Sequence, residues 1–312
     1  MKKRMKVLTA LVLSASLAFS LAACGGEEKK EEKKSSAEVV SEDKEDAKEK
    51  NEDAKKEKKE TPAFENIMVV DNDQFKIELT GIDPDNMWGY TLKMLVENKN
   101  ADTTYTLSVP DAAVNNVQTE AYFATDVAPG KKANEEINLS NEVWNTNDIG
   151  DFSDILLNFE VREANNWDAE PIINETVHVY PLGQDKATVY KREMKDTDKV
   201  ILDDANATVA VIGYREDEVF GFVVDYYIVN KTDKTIRVSA DEVSVNGFMA
   251  DPYYADVVKT GRVSYSTMSW LSEDFTNNGI ESVEDISFTL SVSDEDNWGA
   301  DPMSVQNIVL NP

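Results

Sequence analysis

The segment FGFVVDYYIVN, residues 220–230, indicates how this chain folds. Its apolar side chains recur at every second position: Phe220, Phe222, Val224, Tyr226 and Ile228. An apolar residue at every second position is typical of a β-strand with one buried face. The segment WGYTLKMLV, residues 88–96, repeats the alternation earlier in the chain. Both segments are therefore predicted to be strands.

The chain also repeats itself on a larger scale. NNWDAEP, residues 165–171, returns as DNWGADP, residues 296–302, so that Trp167 corresponds to Trp298. Aligning the chain with itself on these two tryptophans, with a single-residue deletion, matches nearly all of positions 67–181 to positions 199–312. An internal repeat of this length indicates two domains of the same fold rather than a solenoid of short units.

Each copy contains about seven predicted strands. Besides the two segments above, apolar alternation occurs in residues 155–161 and 286–292, and shorter strands are predicted at Phe75–Leu79, Tyr105–Val109, Glu135–Leu139 and Thr176–Tyr180. Seven antiparallel strands in about 110 residues is the size of an immunoglobulin-like sandwich. We therefore predict an all-β fold with two tandem immunoglobulin-like antiparallel β-sandwich domains, at residues 63–181 and 199–312.

Two features interrupt the strand pattern. The segment SNEVWNTNDIGDFSDI and its counterpart LSEDFTNNGIESVEDI predict a short helical turn in each copy, capped by Ser140 or Ser272. The junction, residues 182–198, contains the alternating ATVYKRE. We expect a short and fairly rigid connection there, which either bridges the domains or adds a strand to the first.

The N-terminal segment, residues 1–24, is typical of an export signal. A basic start is followed by an apolar run that ends in LAAC, residues 21–24. The run is shorter than a membrane-spanning helix requires and contains three serines. LAAC resembles the lipobox of bacterial lipoproteins, which implies that Cys24 receives a diacylglycerol and becomes the new N-terminus. Ordinary signal cleavage without lipid is the alternative.

Residues 25–62 are predicted to be a disordered tether. They are rich in Glu and Lys, and such a composition buries too little apolar surface to offset the entropy of an ordered chain. The whole chain has a net charge of −28, and the excess of acid lies in the region after the tether. A surface this acidic repels phosphate, so nucleic-acid binding is not expected.

Three segments of the second copy suggest a family. VNKTDKTIRVSADEVSVNG (229–247), SEDFTNNGI (272–280) and DNWGADP resemble the uncharacterised Ig-like extracellular repeats of Gram-positive bacterial surface lipoproteins. The resemblance implies a lipid-anchored protein on the outer face of the cytoplasmic membrane, with extracellular folded domains. It implies no activity.

The candidate ligand-binding residues are the loop aromatics Trp167, Trp298, Tyr253, Tyr254 and Tyr122. Because the Asn-Trp pair occurs in both copies, the favoured interpretation is that each indole covers the end of its own core. The alternative is an aromatic platform for a sugar or a peptide. A calcium loop in SDEDNWGAD, residues 293–301, fits poorly, since Trp298 occupies a ligand position of the EF-hand pattern.

No catalytic residues, metal site or cofactor are predicted. Cys24 is the sole cysteine and His178 the sole histidine, and His178 is expected to point to the wetter face of a strand. The sequence lacks GxSxG, the P-loop pattern and GxGxxG. We predict a non-catalytic surface lipoprotein that binds an envelope protein or serves envelope structure. The alternative is a carbohydrate- or small-ligand-binding module.

Overall fold

The computed structural model describes residues 64–139, 142–147, 149–166 and 168–312. The predicted signal segment and tether, with Cys24, lie outside this range. The described residues form antiparallel sheets with two short α-helices, which confirms the predicted all-β sandwich class. In this part of the chain no helix is long and apolar enough to cross a membrane.

The first copy contains nine strands and one helix. They are β1 (Ile67–Asp71), β2 (Phe75–Asp83), β3 (Tyr90–Asn98), β4 (Tyr105–Val114), β5 (Val117–Thr119), β6 (Ala124–Val127), β7 (Lys132–Leu139), α1 (Glu142–Asn147), β8 (Ile155–Glu163) and β9 (Ile173–Val179). The prediction was about seven strands, and the six segments named above correspond to β2, β3, β4, β7, β8 and β9. β1, β5 and β6 have no named counterpart, and β5 and β6 are too short to show an alternating pattern.

The second copy repeats this order element by element. It contains β10 (Lys199–Asp203), β11 (Ala207–Asp217), β12 (Gly221–Asn230), β13 (Ile236–Val245), β14 (Phe248–Met249), β15 (Asp256–Val258), β16 (Val263–Trp270), α2 (Ser272–Asn278), β17 (Ile286–Asp294) and β18 (Ser304–Leu310). β10 corresponds to β1, and each later element of this copy corresponds in the same way to one of the first copy.

The strand order is that of an immunoglobulin-like sandwich. One sheet of the first copy has the order β1-β2-β3-β7, and the other is built on β4-β8-β9. Immunoglobulin domains of the constant type place strands A, B, E and D in one sheet and C, F and G in the other, and the described residues of the first copy have no strand at the D position. β2, β3 and β7 occupy the positions of A, B and E, and β4, β8 and β9 those of C, F and G. β1 is an additional edge strand beside β2.

The alternating apolar residues fill the space between the sheets, as predicted. Phe75, Ile77 and Leu79 of β2 are fully buried in the first copy, and Tyr226 and Trp270 are fully buried in the second. The alternation fails at its N-terminal positions, however. Trp88 and Phe220 lie in hairpin turns, where they are 70% and 53% exposed. The strands begin after them, at Tyr90 and Gly221, so the period-two pattern overestimated their length.

The two predicted helical turns are present, but the second is not capped by Ser272. That residue is the first of α2, and Leu271 is the N-cap residue. The carboxylate of Asp274 accepts a hydrogen bond from the Leu271 N–H at 3.2 Å, which satisfies a donor at the helix start. Ser140 lies outside the described residues.

The two sandwiches share a sheet, which the sequence did not predict. The order β10-β11-β12-β16-β5-β4-β8-β9 runs through both copies. β16 and β5 form the connection as a short parallel pair, with Val263 opposite Val117. The Val263 N–H donates to the Asn116 carbonyl at 3.1 Å. Val263 and Tyr227 of the second copy also belong to the apolar core of the first.

Side chains reinforce this connection. Gln118 donates through Nε2 to the Val257 carbonyl at 2.7 Å and accepts from the Lys259 N–H at 3.1 Å. Both terminal nitrogens of Arg262 bind the Asp111 carboxylate at 2.9 Å, and only 10% and 11% of these two side chains are exposed. A bidentate pair of this kind fixes direction as well as distance.

The junction contains the 3₁₀ helix Gln184–Lys186 and no strand, so it does not extend either sheet. Its alternating side chains instead contact both copies. The Tyr190 N–H donates to the Asn115 carbonyl at 2.8 Å, and its hydroxyl lies 2.5 Å from that of Tyr265. Arg192 binds Asp198 through two hydrogen bonds of 3.0 Å, and both side chains are buried.

Replacing Asp111 with alanine is expected to lower the free energy of unfolding by about 3 kcal/mol, since it leaves the Arg262 guanidinium buried without its carboxylate. Urea unfolding followed by fluorescence and circular dichroism measures the change. Glu97→Ala is the matched control, because it breaks the surface pair Lys132–Glu97 and is expected to cost less than about 1 kcal/mol. Equal losses in the two variants would contradict the role given to Asp111.

Candidate functional site

Trp298 is on the surface, so the interpretation that it covers the core is wrong for this residue. It lies in the loop between β17 and β18 and is 76% exposed. The guanidinium carbon of Arg237 lies 4.6 Å from the ring centroid, within the range of a cation–π contact. Glu295 holds Arg237 in place through two hydrogen bonds of 2.7 Å. Trp167 lies outside the described residues.

The first copy has no arginine at the position of Arg237. The position of Arg237 in the repeat is occupied by Thr106 in the first copy, where Thr106 bonds to Asp126 at 2.6 Å. The neighbouring Asp294 is bound by Lys234 at 2.5 Å, and it accepts from the Asp296 N–H at 3.1 Å. The hydrogen bond from Lys234 lowers the pKa of Asp294. Its carboxylate is therefore engaged by protein groups.

The candidate tyrosines lie in two different environments. Tyr122 and Tyr253 occupy equivalent positions and are both exposed. Tyr254 is not available to a ligand, because its ring packs 5.4 Å from that of Tyr226 and its hydroxyl is buried. Adjacent residues in an extended segment point to opposite sides, which explains why Tyr253 is outside and Tyr254 is inside.

The structure does not bring Trp298 and Tyr253 together. The Trp298 loop follows Asp294, which pairs with Ile236 at the start of β13. The start of β16 lies at this same end, because Val263 pairs with Val229 just before the loop that leads into β13. Tyr253 pairs with Ser269, near the other end of β16. The two aromatics therefore lie at opposite ends of the second sandwich, and they cannot form a single platform.

The end that carries Tyr253 also exposes four further apolar side chains, which the sequence did not identify as a candidate site. We call these side chains, together with Tyr253, the apolar end surface. It consists of exposed residues from three segments that meet near the end of β16: Val219, Phe220, Phe248, Met249 and Tyr253. The Tyr253 N–H donates to the Ser269 carbonyl at 2.8 Å, and the Ala250 carbonyl accepts from the Trp270 indole at 2.9 Å.

The backbone of Gly221 fixes the hairpin that carries Val219 and Phe220. Gly221 has a φ of 63°, and a Cβ there would lie 2.4 Å from the Trp270 carbonyl oxygen. Only glycine fits this close approach. The pair of apolar residues before Gly221 was the available sequence signal, together with Met87 and Trp88 before Gly89 in the first copy. The alternation pattern predicts, wrongly, that Trp88 and Phe220 lie on the buried face.

His178 is exposed on β9, as predicted, and its Nδ1 lies 2.7 Å from the Asp154 carboxylate. Among the described residues, no group of three or more His, Cys, Asp or Glu side chains is placed to hold a metal ion.

Two buried polar groups lie at the start of β15, away from the apolar end surface, because Asp256 pairs with Val238 near the start of β13. Asp256 on β15 has one carboxylate oxygen without a hydrogen-bond partner, and the Tyr254 hydroxyl is in the same condition. Burial raises the pKa of Asp256, although hydrogen bonds from Ser264, Val257 and Ser266 act in the opposite direction. The raised pKa means that the folded state holds this proton more tightly than the unfolded state does.

Asp256→Asn is therefore expected to stabilise the fold at neutral pH. Between the unfolded and the folded pKa the folded state binds more protons, so the wild type loses stability as pH rises through this window, and the loss is complete above the folded pKa. The amide variant lacks this loss. Thermal unfolding at several pH values should show a gain for the variant that disappears below pH 4. A variant less stable at pH 7 than at pH 4, relative to wild type, would contradict the assignment.

The fold and its surfaces define an all-β protein of two joined immunoglobulin-like sandwiches. No protein-family model and no curated protein match the chain. Among solved structures, it is similar to a red sea bream transglutaminase at 10% identity, with a TM-score of 0.20 over 66% of this chain and 27% of that one.

A second similar structure is a protein of unknown function from Porphyromonas gingivalis W83. It has 11% identity and a TM-score of 0.20, over 73% of this chain and 93% of that one. Likeness at this level supports no inference about activity, and the chain spans only about a quarter of the transglutaminase.

Proposed function

We propose that this protein is a non-catalytic, membrane-anchored surface lipoprotein whose two joined sandwiches bind another protein. The apolar end surface is the observation that carries this proposal. A cluster of exposed large apolar side chains on a globular domain marks an interaction site. Phe220, Phe248 and Tyr253 supply the aromatic side chains that dominate binding energy at protein interfaces.

The surroundings of this surface favour a basic partner. Glu218 precedes Val219, Asp251 lies between Met249 and Tyr253, and both acids are exposed. Asp241 and Glu242 on β13 are exposed as well. An apolar centre with an acidic rim fits a partner that presents apolar groups beside Lys or Arg, and the rim charges raise the rate of association.

The rigid connection between the two copies supports a function in presenting the folded domains at the cell surface. Because the copies share a sheet and the Arg262–Asp111 pair, the second sandwich is held in a fixed direction relative to the first. The tether of residues 25–62 and the lipid at Cys24 then hold this rigid pair of domains at the outer face of the cytoplasmic membrane. Two acyl chains on one cysteine are sufficient for lasting attachment.

A photo-crosslinking amino acid at Phe248 tests partner binding in intact cells. The same amino acid at Val305 is the matched control, because Val305 is 57% exposed and Phe248 is 48% exposed, and Val305 lies on β18 away from the apolar end surface. We expect a discrete protein adduct from position 248 that is absent from position 305. Identical adduct patterns at the two positions would overturn the proposed surface.

Lipid attachment is tested separately. Radiolabelled fatty acid is expected to enter the wild-type chain in bacterial cells and to be absent from Cys24→Ala. Cys24 is the only cysteine, so any thioester-linked or thioether-linked lipid must use it. Equal labelling of the two chains would contradict the anchor, whatever the outcome at Phe248.

Carbohydrate binding is the second candidate, and the exposed Trp298 is the observation that favours it. Arg237 orders one face of the indole, and a sugar ring stacks on such a platform. Titration with cell-wall and plant glycans should then shift the tryptophan fluorescence, and Trp298→Ala should abolish the shift. Trp88→Ala, at a similarly exposed indole, is the control that should retain it. A shift retained in Trp298→Ala would exclude this platform.

A further inference from the structure

The contact between the two copies is made by two unlike surfaces. The hairpin surface belongs to the first copy and consists of Asp111, the turn Asn115–Asn116 and β5. The edge surface belongs to the second copy and consists of Arg262 and the first residue of β16, Val263. Because the chain is a repeat, each surface has a counterpart on the other copy.

The counterpart of the hairpin surface keeps the backbone geometry of the turn. Asn115 and Asn116 have φ values of 52° and 65°, and the corresponding Asn246 and Gly247 have φ values of 50° and 80°. The Asn115 N–H donates to the Asp154 carbonyl at 2.8 Å, and the Asn246 N–H donates to the Asp285 carbonyl at 3.0 Å. The strand that follows is β14, with Phe248 at the position of Val117. The second copy therefore presents the same hairpin.

The counterpart of the edge surface keeps its charge. The alignment that matches Trp167 to Trp298 places Lys131 at the position of Arg262 and Lys132 at that of Val263. On the hairpin side, the same alignment places Glu242, with Asp241 beside it, at the position of Asp111. In the structure, Asp241 pairs with Thr289 as Asp111 pairs with Asn158, and Glu242 follows with a φ of 54°. The pair Arg262–Asp111 thus corresponds to Lys131 with Asp241 and Glu242. All three of Lys131, Asp241 and Glu242 are exposed.

Neither counterpart is used within the described part of the chain. β14 pairs with β13 alone, and its two residues Phe248 and Met249 are exposed, whereas Val117 of β5 is fully buried by the second copy. β7 pairs with β3 along its length, and its other edge has a single bridge, at its far end between Leu139 and Ala121. At the near end, Lys132 pairs with Glu97 as Val263 pairs with Val229.

We propose that the partner is a second copy of this chain, which places its β7 edge, with Lys131 and Lys132, on the β14 hairpin surface. The contact repeats between molecules the connection that β16 and β5 make within one. It covers Phe248 and Met249, extends the sheet and pairs Lys131 with Asp241 and Glu242. This inference rests on the proposed protein-binding function and names its partner.

The proposed contact is heterologous, because the two surfaces are different. Such a contact leaves one free surface at each end of a dimer and therefore continues as a head-to-tail row. It lacks two supports of the internal connection, since Met249 replaces Gln118 and no junction joins separate chains. We therefore expect association that depends on concentration, and a membrane anchor raises the local concentration.

Cysteine pairing between full-length chains tests this contact. One chain carries Lys132→Cys and a differently tagged chain carries Phe248→Cys, at the positions that correspond to Val263 and Val117, which are register partners. Adjacent strands bring such residues within the reach of a disulfide. Under mild oxidation in cells that express both chains, we expect a mixed disulfide dimer. Lys132→Cys with Val305→Cys is the control, and a mixed dimer of equal yield there would overturn the proposal.

Charge exchange identifies the interaction more closely. Asp241→Lys with Glu242→Lys in the Phe248→Cys chain is expected to lower the yield of the mixed dimer about tenfold. The two new lysines would face Lys131 of the other chain and repel it. Lys131→Glu in the Lys132→Cys chain should restore most of it, which a merely misfolded variant would not allow. No loss, or no recovery, would contradict the pairing.

The outcomes separate this inference from the proposed function. An adduct of Phe248 with an unrelated protein, without the mixed dimer, overturns self-association and leaves protein binding intact. Absence of both the adduct and the mixed dimer overturns the two proposals together.

Discussion

The hairpin between β4 and β5 is the element on which the arrangement of the two sandwiches depends. Two consecutive asparagines with positive φ turn the chain, and the short strand that follows has room for one parallel pair with β16. A single pair of residues is too small to hold two domains. The nearly buried Arg262–Asp111 pair and the Gln118 hydrogen bonds supply the remaining specificity. Together these contacts join one sheet of each sandwich into a single continuous sheet.

This connection also explains the character of the surfaces that remain. The first copy buries Val117 under its neighbour, whereas the second copy leaves Phe248 and Met249 exposed at the equivalent strand. A repeat with two copies necessarily has one unused surface of each kind. In a longer repeat these would be covered by the next unit, and terminal units normally carry polar replacements. The exposed Phe248 and Met249 are apolar, which distinguishes this surface of the second copy from a polar cap.

The candidate site was only partly predictable. Trp298 and Tyr253 were identified as loop aromatics, but sequence could not show that Arg237 lies over one and that the other lies at the opposite end of the sandwich. Tyr254 was grouped with Tyr253, although the two face opposite sides of the same segment. Phe220 was assigned to the core because its position fits the alternation. Its exposure follows from a turn at Gly221 that the period does not record.

The sequence by itself determined the strands, their number in outline, the two-fold repeat and the pairing of each element with its counterpart. The spacing of apolar residues along a strand is a local property, so it can be recognised in a single sequence. Only the tertiary structure decided which surfaces of the two copies meet. Asp111 and Arg262 are far apart in the chain, and no local pattern marks them as partners. Their contact results from the position of the sheet edges in space, which the packing of both cores and the path of the junction set together.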